Sequence, residues 1–235
     1  MARLPAMFDS GPDSGHIHAV PKPIISSRTR VVIFDCDGVL IDSWESALYF
    51  FNSIRSACVL GPLGQEEERL SFMRTIPETL DAIVPPKARA LAETLWREFP
   101  MEEILQRVKR QPGITALLDR LQAAGRKLAV CTNGGSEQYT ILDHLDLLDR
   151  FDLLVTAEDV VRGKPWPDGP LRILERFQAA PDQALFIGDS SVDQQTAQNA
   201  AIPFWAFGNP ALPALHHVRR FDDVELAAPT TRPPF

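Results

Sequence analysis

Two aspartates directly follow a hydrophobic stretch near the start of the chain. The segment "RVVIFDCDGVL" places Asp35 and Asp37 after the apolar run Val31–Phe34. Burying a carboxylate is costly unless hydrogen bonds or a positive charge compensate it. Other polar residues with possible chemistry also follow apolar runs further along the chain: Thr132 and Asn133, Lys164, and Asp189 and Asp193.

Short apolar runs alternate with helical patterns through most of the chain. The predicted strands are Val31–Phe34, Leu128–Cys131, Leu153–Val155, Ala184–Ile187 and Phe204–Phe207. The predicted helices are Ile114–Ala124, Ser136–Leu148, Asp168–Phe177 and Ser191–Ala200. This alternation predicts an α/β fold with a parallel sheet that is covered on both faces. Ligands bind such sheets beyond the carboxyl ends of the strands, where the four polar groups are therefore expected to meet.

One interval is too long for a single βαβ unit. About 94 residues separate Asp37 from Thr132, whereas such a unit takes roughly 30. Helical patterns fill the interval, including the repeat of Leu91, Leu95 and Phe99. We predict a small α-helical cap domain over residues 45–108, inserted into a Rossmann-like core formed by 29–44 and 109–225. Residues 1–28 and 226–235 are predicted to be a flexible arm and tail.

The predicted convergence of acidic residues is first of all an electrostatic problem. Ordinary aspartates have a pKa near 3.9, so several of them in one crevice must take up protons or bind a cation. Lys164 supplies only one positive charge. An all-oxygen carboxylate cluster selects a hard divalent ion, so Mg²⁺ is the expected cofactor. With the ion bound, Thr132, Lys164 and the amides after Asp35 are suited to hold phosphate oxygens.

These groups resemble, in order, the four motifs of the haloacid dehalogenase-like hydrolase superfamily. The motifs are "DCDGVL" at 35–40, "TN" at 132–133, "GKPWP" at 163–167 and "GDSSVD" at 188–193. The resemblance covers roughly residues 30 to 208 and is to the phosphoglycolate phosphatase and β-phosphoglucomutase branch. It implies that the helical insert is a cap, which excludes water and contacts the substrate.

The same resemblance implies a role for each motif residue. Asp35 is expected to be the nucleophile that forms an aspartyl-phosphate, and Asp37 the general acid and base. The expected metal ligands are the side chains of Asp35 and Asp189, the backbone carbonyl of Asp37, and Asp193 as a ligand or an anchor. The expected phosphate-binding residues are Gly38, Thr132, Asn133 and Lys164.

Several residues have structural interpretations beside the functional ones. "SVDQ" from Ser191 predicts a capping box at the start of a helix. Trp166 and Trp205 are predicted to be packing residues. Cys36 should point away from the two neighbouring carboxylates and pack as a thiol, because side chains alternate along a strand.

The substrate is expected to be a small phosphorylated metabolite, such as phosphoglycolate or a sugar phosphate. Arg69, Arg74 and Lys87 are the candidate cap contacts, since an arginine can pair with a carboxylate or second phosphate. A solvated helix face is the alternative for each of them.

Three other functions stay open at this point. A phosphomutase of the β-phosphoglucomutase type would use the same scaffold, although no mutase-type cap signature is evident. A haloacid dehalogenase would need no metal and would lack Asp37. A non-catalytic regulator that binds a phosphorylated ligand would have lost a catalytic residue, and none of them is missing from the motifs.

The amino-acid composition limits the possible partners and the location of the protein. The chain has 235 residues, 45% of them hydrophobic, and a net charge of −7, which argues against a nucleic-acid partner. Three widely spaced cysteines favour a cytoplasmic location over a disulfide framework. No apolar run approaches the roughly 20 residues of a membrane span, so no membrane partner is expected. The protein is expected to be a monomer or a homodimer.

Overall fold

The computed structural model describes residues 22–228. Their strands are β1 Ile24–Ile25, β2 Val31–Phe34, β3 Ile41–Asp42, β4 Lys109–Arg110, β5 Lys127–Cys131, β6 Leu153–Val155, β7 Ala184–Gly188, β8 Phe204–Phe207, β9 His216–Val218 and β10 Glu225–Leu226. Their α-helices are α1 Trp44–Ala57, α2 Gln65–Ser71, α3 Ile76–Ile83, α4 Arg89–Arg97, α5 Met101–Leu105, α6 Ile114–Ala123, α7 Glu137–His144, α8 Asp168–Phe177 and α9 Ser191–Asn199. None of these helices combines the length and the hydropathy that a bilayer crossing requires.

Six parallel strands form the main sheet in the order β6-β5-β2-β7-β8-β9. Strand β2 is central, and all four of its residues are buried. Val32 and Phe34 pack into one apolar cluster with α6 and α7, while Val31 and Ile33 pack on the opposite face with α8 and α9. Helices on both faces explain why the strand is apolar at every position rather than at alternate ones. The predicted α/β class is confirmed.

The insert after β2 is helical, as predicted, and forms a cap with a core of its own. Helices α1, α3, α4 and α5 pack around an apolar cluster that includes Phe50, Phe51 and Leu80, and α2 lies against α1 and α3. The prediction that Leu91, Leu95 and Phe99 share one apolar helix face is wrong for Leu91, because this residue is 49% exposed. Helix α4 ends at Arg97, so Phe99 reaches the cluster from a turn rather than from the helix face.

A short antiparallel ribbon, β3 with β4, joins the cap to the core. Ile41 pairs with Arg110, and Asp42 pairs with Lys109. Both connections between core and cap therefore run side by side.

The terminal segments differ in part from the expected arm and tail. Most of the predicted arm, residues 1–21, and residues 229–235 of the tail lie outside the described residues. The end of the arm is built into the fold, because Ile24 and Ile25 pair in parallel with Glu225 and Leu226. Ile25 is fully buried in the main core, so burial of its side chain explains the docking.

Candidate active site

The polar groups predicted from the sequence lie together at the carboxyl edge of the main sheet. Asp35 directly follows β2, Thr132 follows β5, and Asp189 follows β7. These three strands are neighbours, with Phe34 in register with Val130 and Ile187. Their carboxyl ends therefore meet at one place, as in other open parallel sheets.

Lys164 reaches this edge from the loop after β6 and connects two of the acidic groups. Its Nζ atom lies 2.6 Å from Asp35 Oδ1 and 2.6 Å from Asp193 Oδ1. Only 5% of its side chain is exposed. Burial alone would lower the pKa of Lys164, but the carboxylates of Asp193 and Asp35 outweigh burial and raise it. The lysine is therefore charged at neutral pH.

The main chain of Lys164 is held by the side chain of Asn133. Lys164 N donates to Asn133 Oδ1 at 2.7 Å, and Asn133 Nδ2 donates to Lys164 O at 3.0 Å. A Cβ atom on Gly163 would lie 2.7 Å from the same Oδ1, so this close approach requires glycine. The side chain predicted to bind phosphate is thus occupied by the lysine's main chain, and it also donates to the cap at Met73 O, 3.4 Å away.

Asp193 holds the loop between β7 and α9 as well as the lysine. It is fully buried, and its Oδ2 atom accepts hydrogen bonds from Ser190 Oγ at 2.6 Å and from Ser190 N at 3.1 Å. Ser190 Oγ accepts in return from Asp193 N at 3.1 Å. The capping box predicted at Ser191 is therefore wrong by one residue, because Ser190 is the cap and Ser191 begins the helix.

Asp37 lies beside the acidic cluster and has partners of its own. Its Oδ1 accepts from Ser43 Oγ at 2.5 Å, and its Oδ2 accepts from Gln138 Nε2 at 3.1 Å. Burial raises the pKa of Asp37, although the bonds from Ser43 and Gln138 act in the opposite direction. Ser43 and Gln138 were not predicted from the sequence, since neither belongs to a motif that predicts chemistry.

Cys36 packs as predicted rather than facing the acidic cluster. It is fully buried within the main core, and its Sγ atom donates to Gln138 Oε1 at 3.1 Å. Gln138 is thereby fixed from one side by a thiol while it donates to Asp37 from the other. Burial raises the pKa of the Cys36 thiol well above its usual value, so it stays protonated.

The residues of the acidic cluster suit a divalent metal ion. Asp35, Asp189 and Asp193 each place one carboxylate oxygen within 4.8 Å of the others. One ammonium faces these three carboxylates, so the cluster keeps a surplus of negative charge. Burial, with the charge of Asp193, raises the pKa of Asp35 well above its usual value and raises that of Asp189 to about 7. A hard cation with oxygen ligands would relieve that cost.

Gly38 provides the space into which Asp189 extends. Its φ angle is +81°, and a Cβ atom there would lie 2.1 Å from Asp189 Oδ2. Any larger residue would displace this carboxylate from the cluster. The structure therefore gives Gly38 a definite steric role beside the one predicted in phosphate binding.

A cavity of about 610 Å³ lies between these residues and the cap. Asp35, Asp37, Thr132 and Lys164 line its core side. Thr132 is buried, and its Oγ1 atom accepts from Gly134 N at 2.9 Å, which leaves its hydroxyl hydrogen for another acceptor.

The predicted cap contacts separate into two groups. Arg74 lines the cavity, whereas Arg69 and Lys87 do not. Arg69 is 73% exposed on its side chain and lies 3.8 Å from Glu66 on the same helix. The prediction of a substrate contact at Arg69 is therefore wrong for this conformation, and a solvated helix face describes it.

The two tryptophans that were predicted to be packing residues, Trp166 and Trp205, differ in burial. Trp205 is buried in the main core, as predicted. Trp166 is 51% exposed, and the guanidinium of Arg162 lies 4.3 Å from the centre of its ring. The prediction that Trp166 packs in the interior is wrong, because the loop that carries Lys164 turns this ring outward.

Comparison with known proteins places this geometry in a family. Residues 32–207 match the family model described as haloacid dehalogenase-like hydrolase. Phosphoglycolate phosphatase from Rhodobacter capsulatus is 29% identical over 206 residues, which cover 82% of this chain and 92% of that protein. Phosphoglycolate phosphatase from Aquifex aeolicus is 30% identical over 188 residues, which cover 76% of this chain and 86% of that protein.

Solved structures with a similar fold include a member of the same superfamily. A haloacid dehalogenase superfamily hydrolase of subfamily IA from Geobacter sulfurreducens is 30% identical with a TM-score of 0.69, covering 83% of this chain and 94% of that one. β-Phosphoglucomutase from Clostridium difficile is 18% identical with a TM-score of 0.73, covering 83% of this chain and 92% of that one, and shares the fold. The chain belongs to the haloacid dehalogenase-like hydrolase family, and phosphoglycolate phosphatases are among its curated relatives.

Proposed function

We propose that this protein is a Mg²⁺-dependent phosphatase that hydrolyses a small phosphorylated metabolite through an aspartyl-phosphate on Asp35. The observation that carries the proposal is that two neighbouring carboxylates, those of Asp35 and Asp37, have different partners. Asp35 lies 2.6 Å from the ammonium of Lys164, whereas Asp37 is held by the neutral donors Ser43 and Gln138. Burial raises the pKa of Asp35 and the ammonium of Lys164 opposes that shift, whereas Asp37 is held by neutral donors and is placed to carry a proton.

In the first step Asp35 attacks the phosphorus atom of the ester. A bond forms between a carboxylate oxygen and phosphorus, and the bond from phosphorus to the ester oxygen breaks. Asp37 gives its proton to the departing alkoxide, which leaves as an alcohol. Burial raises the pKa of Asp37, and this favours the protonated form that the step requires.

In the second step water attacks the phosphorus of the aspartyl-phosphate. Asp37, now ionised, takes a proton from the water, and the bond between Asp35 and phosphorus breaks. Inorganic phosphate and the free carboxylate result. Lys164 and the Thr132 hydroxyl would bind the phosphoryl oxygens in both steps, where fixed charge and donors contribute most.

The residues that would hold Mg²⁺ are Asp35, Asp189 and the backbone carbonyl of Asp37. Asp193 would support the site, because its Oδ1 already pairs with Lys164 and its Oδ2 already accepts from Ser190. When bound, the ion would neutralise charge on the carboxylates and on the phosphoryl group.

The other functions have less support. A dehalogenase has no use for a proton carrier like Asp37, which has two dedicated hydrogen-bond donors. A non-catalytic regulator would not need such a proton carrier either. A phosphomutase shares the fold, as the β-phosphoglucomutase comparison shows, but no observation on the cap favours isomerisation. A cytoplasmic location remains part of the proposal, consistent with three free cysteines.

The test is phosphate release from a panel of phosphate monoesters, with Mg²⁺ or with EDTA. We expect turnover that needs the metal and that falls at least about 10³-fold in Asp35→Asn. Asp182→Asn is the matched control, because Asp182 is an exposed aspartate paired with Arg28 on the surface. Turnover that survives in Asp35→Asn would remove the nucleophile assignment, and turnover that survives EDTA would remove the metal.

A further inference from the structure

The cavity above the catalytic residues is much larger than a phosphate with a two-carbon leaving group. Its volume of about 610 Å³ lies in the range of roughly 300–1,000 Å³ that suits ligands of drug size. The phosphoryl group would occupy only the core end, between Asp35 and Lys164. The remaining space lies against the cap and determines which leaving group fits.

The cap side of the cavity is aromatic and aliphatic. It is formed by Phe50, Phe72, Trp96, Phe99, Met101 and Ile104. Phe50 and Phe99 are packed edge to face with ring centres 4.9 Å apart, and Phe50 belongs to the buried core of the cap. This wall is therefore preformed, and apolar surface of this kind gains free energy by covering apolar ligand atoms.

The charged residues of the cavity disfavour a second anion on the leaving group. Glu137 and Glu158 both line the core side, and a Cβ atom on Gly135 would lie 2.7 Å from an oxygen of each. The two carboxylates therefore approach one another there. Burial raises the pKa of Glu137, which reflects how little solvent compensates its charge.

The cationic side chains that line the cavity do not offset the negative charge of the glutamates. Lys164 is taken up by Asp35 and Asp193. Arg97 is paired with Glu93 at 2.7 Å and is 65% exposed. Arg74 and Glu158 also line the cavity, and both are exposed to solvent. Water and salt therefore weaken the attraction of Arg74 for an anion and the repulsion by Glu158 alike, which leaves the half-buried Glu137 as the main charge that faces a leaving group.

We propose that the site takes phosphate monoesters whose leaving alcohol is uncharged and apolar, an alkyl or arylalkyl group, in preference to a carboxylate-bearing alcohol such as that of phosphoglycolate. This inference rests on the proposed phosphatase function and names its substrate class. The alkyl part lies against the aromatic wall of the cap, and the half-buried carboxylate of Glu137 disfavours acidic leaving groups by repulsion.

The test compares kcat/KM for a series of n-alkyl phosphates, from ethyl to hexyl, with that for phosphoglycolate. The alcohols of the series have nearly equal acidity, so differences report binding of the alkyl chain. We expect kcat/KM to rise by up to about fourfold per buried methylene and to exceed the value for phosphoglycolate at least tenfold by the hexyl ester. A flat series, or a preference for phosphoglycolate, would overturn the inference.

Two variants assign the effect to the wall. Trp96→Ala should lower the ratio of hexyl to ethyl phosphate turnover several-fold, and because both rates come from one sample, partial unfolding does not change the ratio. Leu91→Ala is the control, since Leu91 lies on the same helix but is 49% exposed and does not line the cavity. An unchanged ratio in Trp96→Ala would count against the wall.

Calorimetric binding of phosphonates separates this inference from the proposed function. Hexylphosphonate cannot be hydrolysed and should bind in the presence of Mg²⁺ at least tenfold more tightly than phosphonoacetate, its carboxylate-bearing counterpart. If no ester is hydrolysed but hexylphosphonate binds in this way, the phosphatase function fails and the binding preference stands. Tighter binding of phosphonoacetate would refute the preference even in an active enzyme.

Discussion

Asn133 and Lys164 are joined by two hydrogen bonds between one side chain and one residue's main chain. Lys164 N donates to the amide oxygen at 2.7 Å, and the amide nitrogen donates to Lys164 O at 3.0 Å. The lysine side chain then extends from this fixed backbone to two carboxylates. We therefore expect Asn133 to be a positioning residue, which would act on a bound phosphoryl group through Lys164.

Removing this clamp should reduce catalysis without removing any group that touches the substrate. In Asn133→Ala we expect kcat to fall about 10- to 100-fold, the usual effect of losing a residue that orients a ligand-binding group. KM should change less than kcat, since the charge of Lys164 is kept. Steady-state kinetics with a phosphate monoester would measure both.

Asn199→Ala is the matched control for this prediction. Asn199 Nδ2 donates to Pro165 O at 2.9 Å, next to the same lysine, but from an exposed position. We expect less than a threefold change there. Asn133→Asp keeps the acceptor for Lys164 N and should recover part of the activity, whereas a purely structural role would give no such recovery.

A methyl group at Gly38 should disable the metal cluster. In Gly38→Ala the new Cβ would lie 2.1 Å from Asp189 Oδ2, so this carboxylate must move away from Asp35 and Asp193. We expect the affinity for Mg²⁺ to fall on the order of tenfold to hundredfold, measured by titration calorimetry, with a matching loss of turnover.

Gly125→Ala separates the steric effect from the cost of the backbone conformation. Gly125 also has a positive φ of +69°, but a Cβ there meets nothing within 4 Å. Both variants should lose about 1–2 kcal/mol of unfolding free energy, which a left-handed backbone costs a residue with a side chain. Equal metal affinity in the two variants would contradict the steric role of Gly38.

The affinity for Mg²⁺ should depend on pH with a definite sign. Burial and Asp193 raise the pKa of Asp189 to about 7 in the metal-free protein, and the pKa of Asp35 is raised as well. Metal ligands must be deprotonated, so the apparent affinity should increase as pH rises toward about 7, by up to about tenfold per pH unit for each proton released.

The unfolding free energy of the metal-free protein should decrease as pH rises, which is opposite to the trend in metal affinity. A raised pKa means that the folded protein holds this proton more tightly than the unfolded chain, whose aspartates titrate near 3.9. The contribution to stability is present at low pH and is lost as pH rises from that value to about 7. The unfolding free energies of wild type and Asp189→Asn, both measured in the presence of EDTA, should therefore diverge over this range. Asp189→Asn should become more stable relative to wild type as pH rises.

Calorimetry of Mg²⁺ binding in two buffers of different ionisation enthalpy completes this test. Below about pH 7 the observed heat should depend on the buffer, because protons are released from the cluster. Equal heats and an affinity independent of pH would contradict the raised pKa values of Asp35 and Asp189.

The parts of the fold that the sequence predicted are those with a strong local pattern. Strand β2 was predicted with its bounds because four apolar residues are followed at once by Asp35. Helix α7 is shorter than predicted, since Asp146 takes a positive φ of 50° and ends the helix after His144. Leu145, Leu147 and Leu148 continue the apolar pattern beyond that point and do not reveal the turn.

The parts that were missed depend on contacts between distant segments. Strand β9 carries two histidines and is recognisable only by its pairing with Trp205 and Ala206. Ile25 is buried only because the segment around Leu226 lies beside it. The same limit applied to the site, where motif residues were found but Gln138, which fixes Asp37 from another helix, was not.

The pairing of Asp42 with Lys109 has a consequence for engineering and for evolution. The cap leaves the core and returns to it at one point, so the whole insert is a closed loop whose two ends touch. A short turn could replace it, or a cap from a relative could be grafted between these two residues, while the core with its acidic cluster is left unaltered. The aromatic side of the cavity would change with the cap, whereas Glu137 and Glu158 would stay with the core.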